Sequence, residues 1–269
     1  MTRILSLAHL TAIELAPPEL IHAAAAAGFD AVGLRLIRVT QTTPGYPLMH
    51  DPALMRGTRA ALRDTGLRVH DIEFVKIEPD TDISALLPFL DAGAELGARE
   101  VITAPYDPDL SRLADRLGAL SEAAAQRGLG VSLEFFPWTV VPDLKAALAV
   151  VENAGSGPGI LVDSLHFDRS GSTVETLQGV PPERLRFAHL CDAPVCPPYS
   201  TDDLLFAGRA ERLPPGEGDI PLGAFLAALP RDVPLALEVP MTALTQAEGP
   251  DAVLRRVMRA TRRVLAAVN

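Results

Sequence analysis

A recurring pattern of helix, glycine and strand constrains the fold of this chain more than any other feature of its sequence. In each of five copies, a segment with helical spacing of apolar residues leads through a glycine into a short apolar run. The helical segments are 17–27, 53–65, 82–96, 110–127 and 144–154, and the runs that follow are 31–35, 67–75, 99–103, 130–135 and 159–163. Because glycine commonly ends a helix and alternating strands and helices favour parallel pairing, the pattern predicts βαβ units and a parallel sheet.

Three further strand-like runs bring the predicted number of strands to eight. They lie at 3–8, 185–190 and 233–239, and a basic helix at 250–268 follows the last of them. Eight strands with intervening helices in 269 residues predict an α/β fold, a single (β/α)8 TIM barrel that spans residues 1–269. A doubly wound open sheet is the alternative, but residues 8–11, after the first strand, lack the glycines of a phosphate-binding loop.

Side chains that bind metal ions end four successive predicted strands. The four are Glu134, Asp163, His189 and Glu238, on strands five to eight. Each alone is explained as well by a capping carboxylate or a core histidine, but in a barrel the C-terminal ends of all strands meet at one face. Together they therefore predict a shared divalent ion, with Mn²⁺ as the first expectation and Mg²⁺, Co²⁺ or Zn²⁺ as alternatives, because carboxylate oxygens and one imidazole suit these metals.

The segments around these positions resemble the sugar phosphate isomerase/epimerase superfamily, the xylose-isomerase-like TIM barrels that also include inosose dehydratase, dehydroshikimate dehydratase and endonuclease IV. The resemblance lies in residues 132–135, 162–166, 188–192 and 237–239, and in an arginine with a proline-glycine turn at 212–220. It implies that Glu134, Asp163, His189 and Glu238 are the metal ligands. It also implies that Glu134 and Glu238 form the catalytic acid/base pair.

Contacts to the substrate are expected from further residues near the predicted strand ends. The resemblance implies His166 and Arg212, with Arg209 as the alternative to Arg212 because the preceding proline-rich segment is longer than expected in a simple ketose epimerase. The other expected contacts are Trp138, His9, Arg35 and Glu73. Core packing for the tryptophan, an ion pair for the arginine and a capping role for the glutamate are the alternative interpretations.

The longest segment predicted to be irregular is 192–218, which carries five prolines. It directly follows the seventh strand, so a barrel would place it over the mouth of the active site. Long loops in compact domains often serve as lids or binding loops. We therefore expect this segment to contribute to the substrate site.

The ligand set and the resemblance predict a divalent-metal-dependent isomerase or epimerase. Its substrate would be a sugar, sugar phosphate or related polyol ketone, and its intermediate an enediolate stabilised by the metal while carboxylates move a proton. The same enolate can expel a β-hydroxyl group. A metal-dependent lyase that dehydrates a cyclic polyol ketone, such as an inosose or dehydroshikimate, is therefore the alternative.

Composition argues against several other partners. The net charge of −10 gives no general attraction for nucleic acid, which also argues against a repair enzyme, and the apolar runs are too short to span a membrane. Two cysteines without a C-x-x-C pair favour the cytoplasm over export. A small polyhydroxy carbonyl compound is the expected partner. The resemblance adds a homo-oligomer as an expectation, and the intact ligand set argues against a non-catalytic subunit.

Overall fold

Eight parallel strands close into one barrel in the computed structural model, which describes residues 3–40 and 42–268. The strands are β1 Leu5–Leu7, β2 Ala31–Arg35, β3 Arg68–Ile77, β4 Glu100–Pro105, β5 Gly130–Glu134, β6 Gly159–Asp163, β7 Leu185–Leu190 and β8 Leu235–Leu237. They pair in chain order, and β1 also pairs with β8, which closes the ring. The predicted (β/α)8 barrel is confirmed; Met1, Thr2, Gln41 and Asn269, which the predicted span 1–269 includes, lie outside the described residues.

Helices connect the strands and cover the outside of the barrel. In the described residues they are α1 Pro17–Ala27, α2 Pro52–Thr65, α3 Leu87–Glu95, α4 Leu110–Ala125, α5 Leu144–Asn153, α6 Ser164–Arg169, α7 Val174–Gln178, α8 Thr201–Arg209, α9 Leu222–Ala228, α10 Thr242–Glu248 and α11 Pro250–Val268. The limits of α2 show the local cause: Asp51 accepts two backbone hydrogen bonds at its start, and Gly66 ends it with a φ of 73°. None of the helices in 3–40 and 42–268 is both long and apolar enough to cross a membrane.

The structure corrects the expected course of segment 192–218. We predicted an irregular segment, but its middle forms α8. Ser200 caps this helix, because its hydroxyl accepts a hydrogen bond from Asp203 N while the Asp203 carboxylate accepts one from Ser200 N. The prolines are confined to either side of the helix, so they do not interrupt it.

The two sides of the barrel wall differ in composition. Strand residues that face the helices belong to one large apolar core. A smaller apolar cluster lies on the other side of the wall, inside the barrel, and consists of Ala8, Ile102, Leu161, Phe187 and Ala236. Because side chains alternate along a strand, Ser6, between two members of the large core, faces the interior. The interior therefore carries polar groups beside a small apolar cluster, whereas branched apolar residues dominate the interior of most TIM barrels.

Candidate metal centre

The four predicted ligand side chains converge at the C-terminal ends of the strands. One candidate ligand atom from each of Glu134, Asp163, His189 and Glu238 lies within 4.8 Å of those from the others, and all four residues are buried. His189 Nδ1 is 3.4 Å from Glu238 Oε2 and 3.7 Å from both Glu134 Oε1 and Asp163 Oδ2. The structure thus brings together residues that are far apart in the chain.

Strand geometry explains this convergence. Glu134 and Asp163 end β5 and β6, His189 is the last residue but one of β7, and Glu238 directly follows β8. Asp163 and His189 are register partners on adjacent strands. The eighth strand is shorter than the predicted 233–239, so Glu238 lies one residue beyond its paired part.

Arg212 joins the cluster from the segment after α8. Its Nη1 donates a hydrogen bond to Asp163 Oδ2 at 2.7 Å, and its Nη2 lies 2.7 Å from Glu238 Oε2. Its own backbone N–H bonds the carbonyl of Pro240, which fixes the approach of the side chain. Predicted as a substrate contact, Arg212 therefore also orients two members of the ligand set.

Burial and these partners separate the pKa values of the three acids. Burial raises the pKa of Glu134 well above its usual range. Burial also acts to raise the pKa of Glu238, but the Arg212 guanidinium and His189 outweigh it and hold that pKa at about 2. The pKa of Asp163 is lowered too, again by Arg212 against burial. The cluster thus combines a weak acid with two strong ones.

The donor set and its charge fit a divalent cation. Glu134 Oε1 and both ring nitrogens of His189 are buried without a hydrogen-bond partner in the described part of the chain, although buried polar atoms normally have one. Metal binding requires all three carboxylates to be ionised, and together with one guanidinium they would carry two net negative charges. A divalent ion would neutralise them and supply the missing partner of Glu134 Oε1 and of His189 Nδ1, the ring nitrogen that faces the carboxylates.

Most of the predicted substrate contacts line one cavity above the cluster. Its wall contains Arg35, Glu134, Trp138, His166, Arg209, Arg212 and Glu238. It also contains residues that were not predicted as contacts, namely Leu10, Val39, Thr40, Thr43, Phe74, Tyr106, Phe136 and Gly208. Because two of the clustered carboxylates form part of the wall, a ligand in this cavity would meet the metal centre directly.

His166 and Trp138 form an aromatic part of this wall. The His166 ring packs edge-on against Phe136 at 4.8 Å and Trp138 at 5.2 Å between ring centroids. Its Nε2 is 3.9 Å from Glu134 Oε1, and its Nδ1 is buried with no partner among the described residues. Burial lowers the pKa of His166 to about 4, so the ring is neutral near pH 7.

His9 and Glu73 are placed beside Arg35 and outside the cavity wall. Arg35 Nη2 lies 3.3 Å from Glu73 Oε1. His9 Nδ1 accepts a hydrogen bond from Arg35 N at 2.8 Å, and its Nε2 lies 3.0 Å from the Leu15 carbonyl, so both ring nitrogens are in use. The reason is that β1 ends at Leu7, so His9 falls in the following turn. The structure thus gives His9 and Glu73 supporting positions around Arg35.

Several residues of the wall were not predicted, because they do not belong to the pattern of charged side chains at strand ends. Tyr106 directly follows β4, and its hydroxyl accepts a hydrogen bond from Trp138 Nε1 at 3.4 Å. Its position after a strand was a usable signal. Thr40 and Thr43 lie in the connection between β2 and α2, where no periodic pattern marks a contact.

A larger concavity of about 1000 Å³ lies near the N-terminal end of β1, and its charged lining residues are Arg3, Asp30, Arg68, Arg231, Asp232 and Arg262. It contains none of the clustered ligand residues. Catalytic residues of TIM barrels lie at the C-terminal face, which is where the cluster of candidate metal ligands is found. We therefore assign the candidate site to the smaller cavity.

Comparison with known proteins finds two enzymes that are similar in sequence to this chain. A 3-dehydroshikimate dehydratase of Pseudomonas aeruginosa is 30% identical over 241 residues, which cover 82% of this chain and 36% of that protein. An inosose isomerase of Bacillus velezensis is 28% identical over 159 residues, which cover 55% of this chain and 54% of that protein. The matched regions thus account for only about a third and about half of these relatives' lengths.

A solved structure and a family pattern extend the comparison to most of the chain. The crystal structure of the IolI protein with a bound zinc atom superposes with a TM-score of 0.82 and 19% identity, and the match covers 99% of both chains. At this identity the likeness concerns the fold. The sequence pattern of the family described as xylose isomerase-like TIM barrel matches residues 21–263. The chain belongs to this family of xylose isomerase-like TIM barrels.

Proposed function

We propose that this protein is a divalent-metal-dependent isomerase or epimerase that acts on a sugar, sugar phosphate or related polyol ketone through an enediolate. The observation that carries the proposal is that Glu134 and Glu238 belong both to the metal-binding cluster and to the cavity wall. A substrate bound in the cavity would therefore contact two carboxylates that can move protons. The similarity to an inosose isomerase supports this chemistry.

Glu134, Asp163, His189 and Glu238 would hold the ion, for which Mn²⁺ is our first choice and Mg²⁺, Co²⁺ or Zn²⁺ are alternatives. When bound, the ion supplies Lewis-acid stabilisation of the negative charge that develops on the substrate oxygens. The three-oxygen, one-nitrogen donor set supports this range of metals. The zinc atom in the IolI structure keeps zinc among them.

The proton transfers are assigned to the two carboxylates in the cavity wall. In our proposal, one of Glu134 and Glu238 removes the proton next to the substrate carbonyl, and the other returns a proton to the same or the neighbouring carbon. Neutral His166 donates a hydrogen bond to a substrate hydroxyl. Arg212 holds Glu238 in place, and Arg35 and Trp138 contact the rest of the substrate.

A lyase that dehydrates a cyclic polyol ketone is the second candidate. It is favoured by the aromatic wall formed by Phe74, Phe136 and Trp138, which suits a flat enone or aromatic product. The 3-dehydroshikimate dehydratase relative supports the same chemistry. The reaction would begin with the same proton removal and differ in the loss of a β-hydroxyl group.

We further propose a cytoplasmic location, which the two free thiols of Cys191 and Cys196 support.

Hydrogen exchange in D₂O tests the proposal. Metal-loaded protein is incubated with a panel of ketoses, inososes and their phosphates, and NMR follows deuterium at the carbon next to the carbonyl. We expect exchange with at least one compound, and its loss in Glu134→Gln but not in the exposed control Glu122→Gln. A rising ultraviolet absorbance from an enone would identify the lyase. Absence of both signals over the whole panel would contradict the proposed chemistry.

A further inference from the structure

The barrel interior next to the metal centre contains buried polar atoms that the proposed mechanism does not use. Ser6 Oγ, both carboxyl oxygens of Asp71 and Nε2 of His70 and His189 are buried, and each lacks a hydrogen-bond partner among residues 3–40 and 42–268. A buried polar atom that is left without a partner normally destabilises the folded state. Several of them in one barrel interior point to a ligand or ordered water that satisfies them.

The chain makes space for the Asp71 carboxyl group by omitting a side chain on the neighbouring strand. Gly33 and Asp71 are register partners on β2 and β3. A Cβ atom at Gly33 would clash with Asp71 Oδ2. Val32 and Leu34, on either side of this glycine, belong to the outer core, so Gly33 and the carboxyl group that covers it face the interior.

The orientation of the His189 ring creates a demand for a hydrogen-bond acceptor. Its Nδ1 is the nitrogen that lies near Glu134, Asp163 and Glu238, so Nδ1 is the atom that would bind the ion. A neutral imidazole bound through Nδ1 carries its proton on Nε2. Metal-binding histidines almost always donate this second N–H to a carboxylate, a backbone carbonyl or water.

Asp71 is the group in the described interior that best meets this demand. It is fully buried, and both of its oxygens are unpartnered. The Phe187 ring contacts both the His70 ring, at 4.8 Å between centroids, and the His189 ring, at 5.7 Å, so interior side chains of β3 and β7 meet in the barrel. Burial raises the pKa of Asp71 well above the usual range, the charge of Glu73 adds to this, and the charge of His189 opposes it. A direct hydrogen bond between them is absent from the described contacts, and buried polar groups of this kind typically bind ordered water.

We propose that Asp71 is a positioning residue for His189 and acts through ordered water that also bonds the Ser6 hydroxyl. The water accepts the hydrogen bond from His189 Nε2 and thereby fixes the tautomer and the ring orientation that Nδ1 needs to bind the ion. Asp71 serves in its neutral form. An asparagine, which has the same shape and no charge, would therefore replace it, whereas valine would not. This inference rests on the metal centre of the proposed function.

Metal affinity of Asp71 variants tests the role. Calorimetry with Zn²⁺ and Mn²⁺ is expected to show affinity lower by about 10- to 100-fold in Asp71→Val, the range typical for loss of such a partner. The visible spectrum of bound Co²⁺ would change with it. Asp71→Asn should bind nearly as tightly as the wild type. The matched control is Glu100→Gln. Glu100 is another buried interior acid, but its carboxyl group accepts a hydrogen bond from Ser132, so the metal affinity of this variant should equal that of the wild type.

The outcomes separate this inference from the proposed function. Wild-type protein that binds no divalent ion overturns both, whereas wild-type and Asp71→Val proteins of equal affinity overturn the role of Asp71 alone. If Asp71→Val does not fold, the inference is tested by ¹⁵N NMR of the histidine side chains in Zn²⁺-loaded wild type and Ser6→Ala. We expect a proton on His189 Nε2 whose resonance shifts in Ser6→Ala. A resonance that is the same in both proteins overturns the inference.

Discussion

Single residues in the barrel interior show how this chain accommodates buried acids. Asp163 and Glu238 share one arginine, whereas Glu134 pairs with no guanidinium in the described part of the chain, and burial raises its pKa. Glu100, at the start of β4, is another buried acid and lies outside the candidate metal-binding cluster. Its carboxylate accepts a hydrogen bond from Ser132 Oγ at 3.0 Å and covers Gly130. Acids of this kind link folding to pH because burial disfavours their charged form.

Glu100→Gln should remove part of the pH dependence of stability. Burial raises the pKa of Glu100 from 4.5 to about 7, although Arg186 opposes this. The folded state then binds this proton more tightly than the unfolded state does, so stability is lost as pH rises from about 4.5 through about 7. Relative to wild type, Glu100→Gln should gain about 2–3 kcal/mol in free energy of unfolding between about pH 5 and pH 8.

Urea denaturation at both pH values measures this difference. The exposed Glu95→Gln, whose carboxylate pairs with Arg59, is the control and should show no such trend. A constant difference between Glu100→Gln and wild type over this range would mean that Glu100 is ionised in the folded protein at both pH values.

At the scale of helices and strands, the sequence predicted the elements that carry their own end signals. The glycine junctions predicted α1, β2 and β6 with their observed limits. At the first junction, Gly28 ends α1 with a φ of 88°, and β2 begins at Ala31. We did not predict α8 from the sequence, because the surrounding prolines suggested an irregular loop. Ser200 and Asp203 nevertheless form a recognisable capping box. The third helix was predicted to begin at Asp82, but a 3-10 turn at Ser84–Leu86 precedes α3.

The segment that follows α8 is held to β7 by Asp192. Its Oδ1 accepts hydrogen bonds from Ala193 N at 2.9 Å and Ile220 N at 3.0 Å, and its Oδ2 accepts one from Gly216 N at 2.9 Å. Its backbone also pairs with Leu213 in both directions. The carboxylate thus orders the stretch that delivers Arg212 to the metal centre.

Asp192→Asn should therefore lower both stability and activity. An asparagine oxygen can replace only one carboxylate oxygen, and the amide N–H₂ group would then face the N–H of Gly216 or of Ile220. We expect a loss of about 1–3 kcal/mol in free energy of unfolding, with a fall in kcat as Arg212 shifts. The exposed Asp219→Asn, in the same segment, is the matched control, since Asp219 accepts one long bond from Val195 N at 3.3 Å. Equal behaviour of the two variants would exclude the ordering role.

At the scale of the whole molecule, closure of the barrel explains why four distant residues could be predicted as one site. Parallel strands that pair in chain order place the ends of β5 to β8 side by side, whatever separates them in sequence. The rest of the site depends on features that have no local signal. Thr40 reaches the cavity through the course of the loop after β2, and Phe74 lies at a register shift within β3. The fit of Asp71 over Gly33 depends on the pairing of β2 with β3.

Metal binding at this junction should stabilise the whole barrel, because four strands contribute one ligand each. An ion that binds only the folded state adds about 2.7 kcal/mol to the free energy of unfolding when its free concentration is about 100 times Kd. We therefore expect the Tm of chelator-treated protein to rise on addition of Mn²⁺ or Zn²⁺, and the rise to continue with concentration. In His189→Asn the rise should be nearly abolished, whereas in Glu95→Gln it should match wild type.

Without an ion, a protonated His189 supplies part of the positive charge that the carboxylates require. Burial alone would lower the pKa of His189, but Glu238 and the other carboxylates raise it well above its usual range. A Tm that does not respond to any of Mn²⁺, Mg²⁺, Co²⁺ or Zn²⁺ would show that this histidine suffices as the cation and that the cluster is not a metal site.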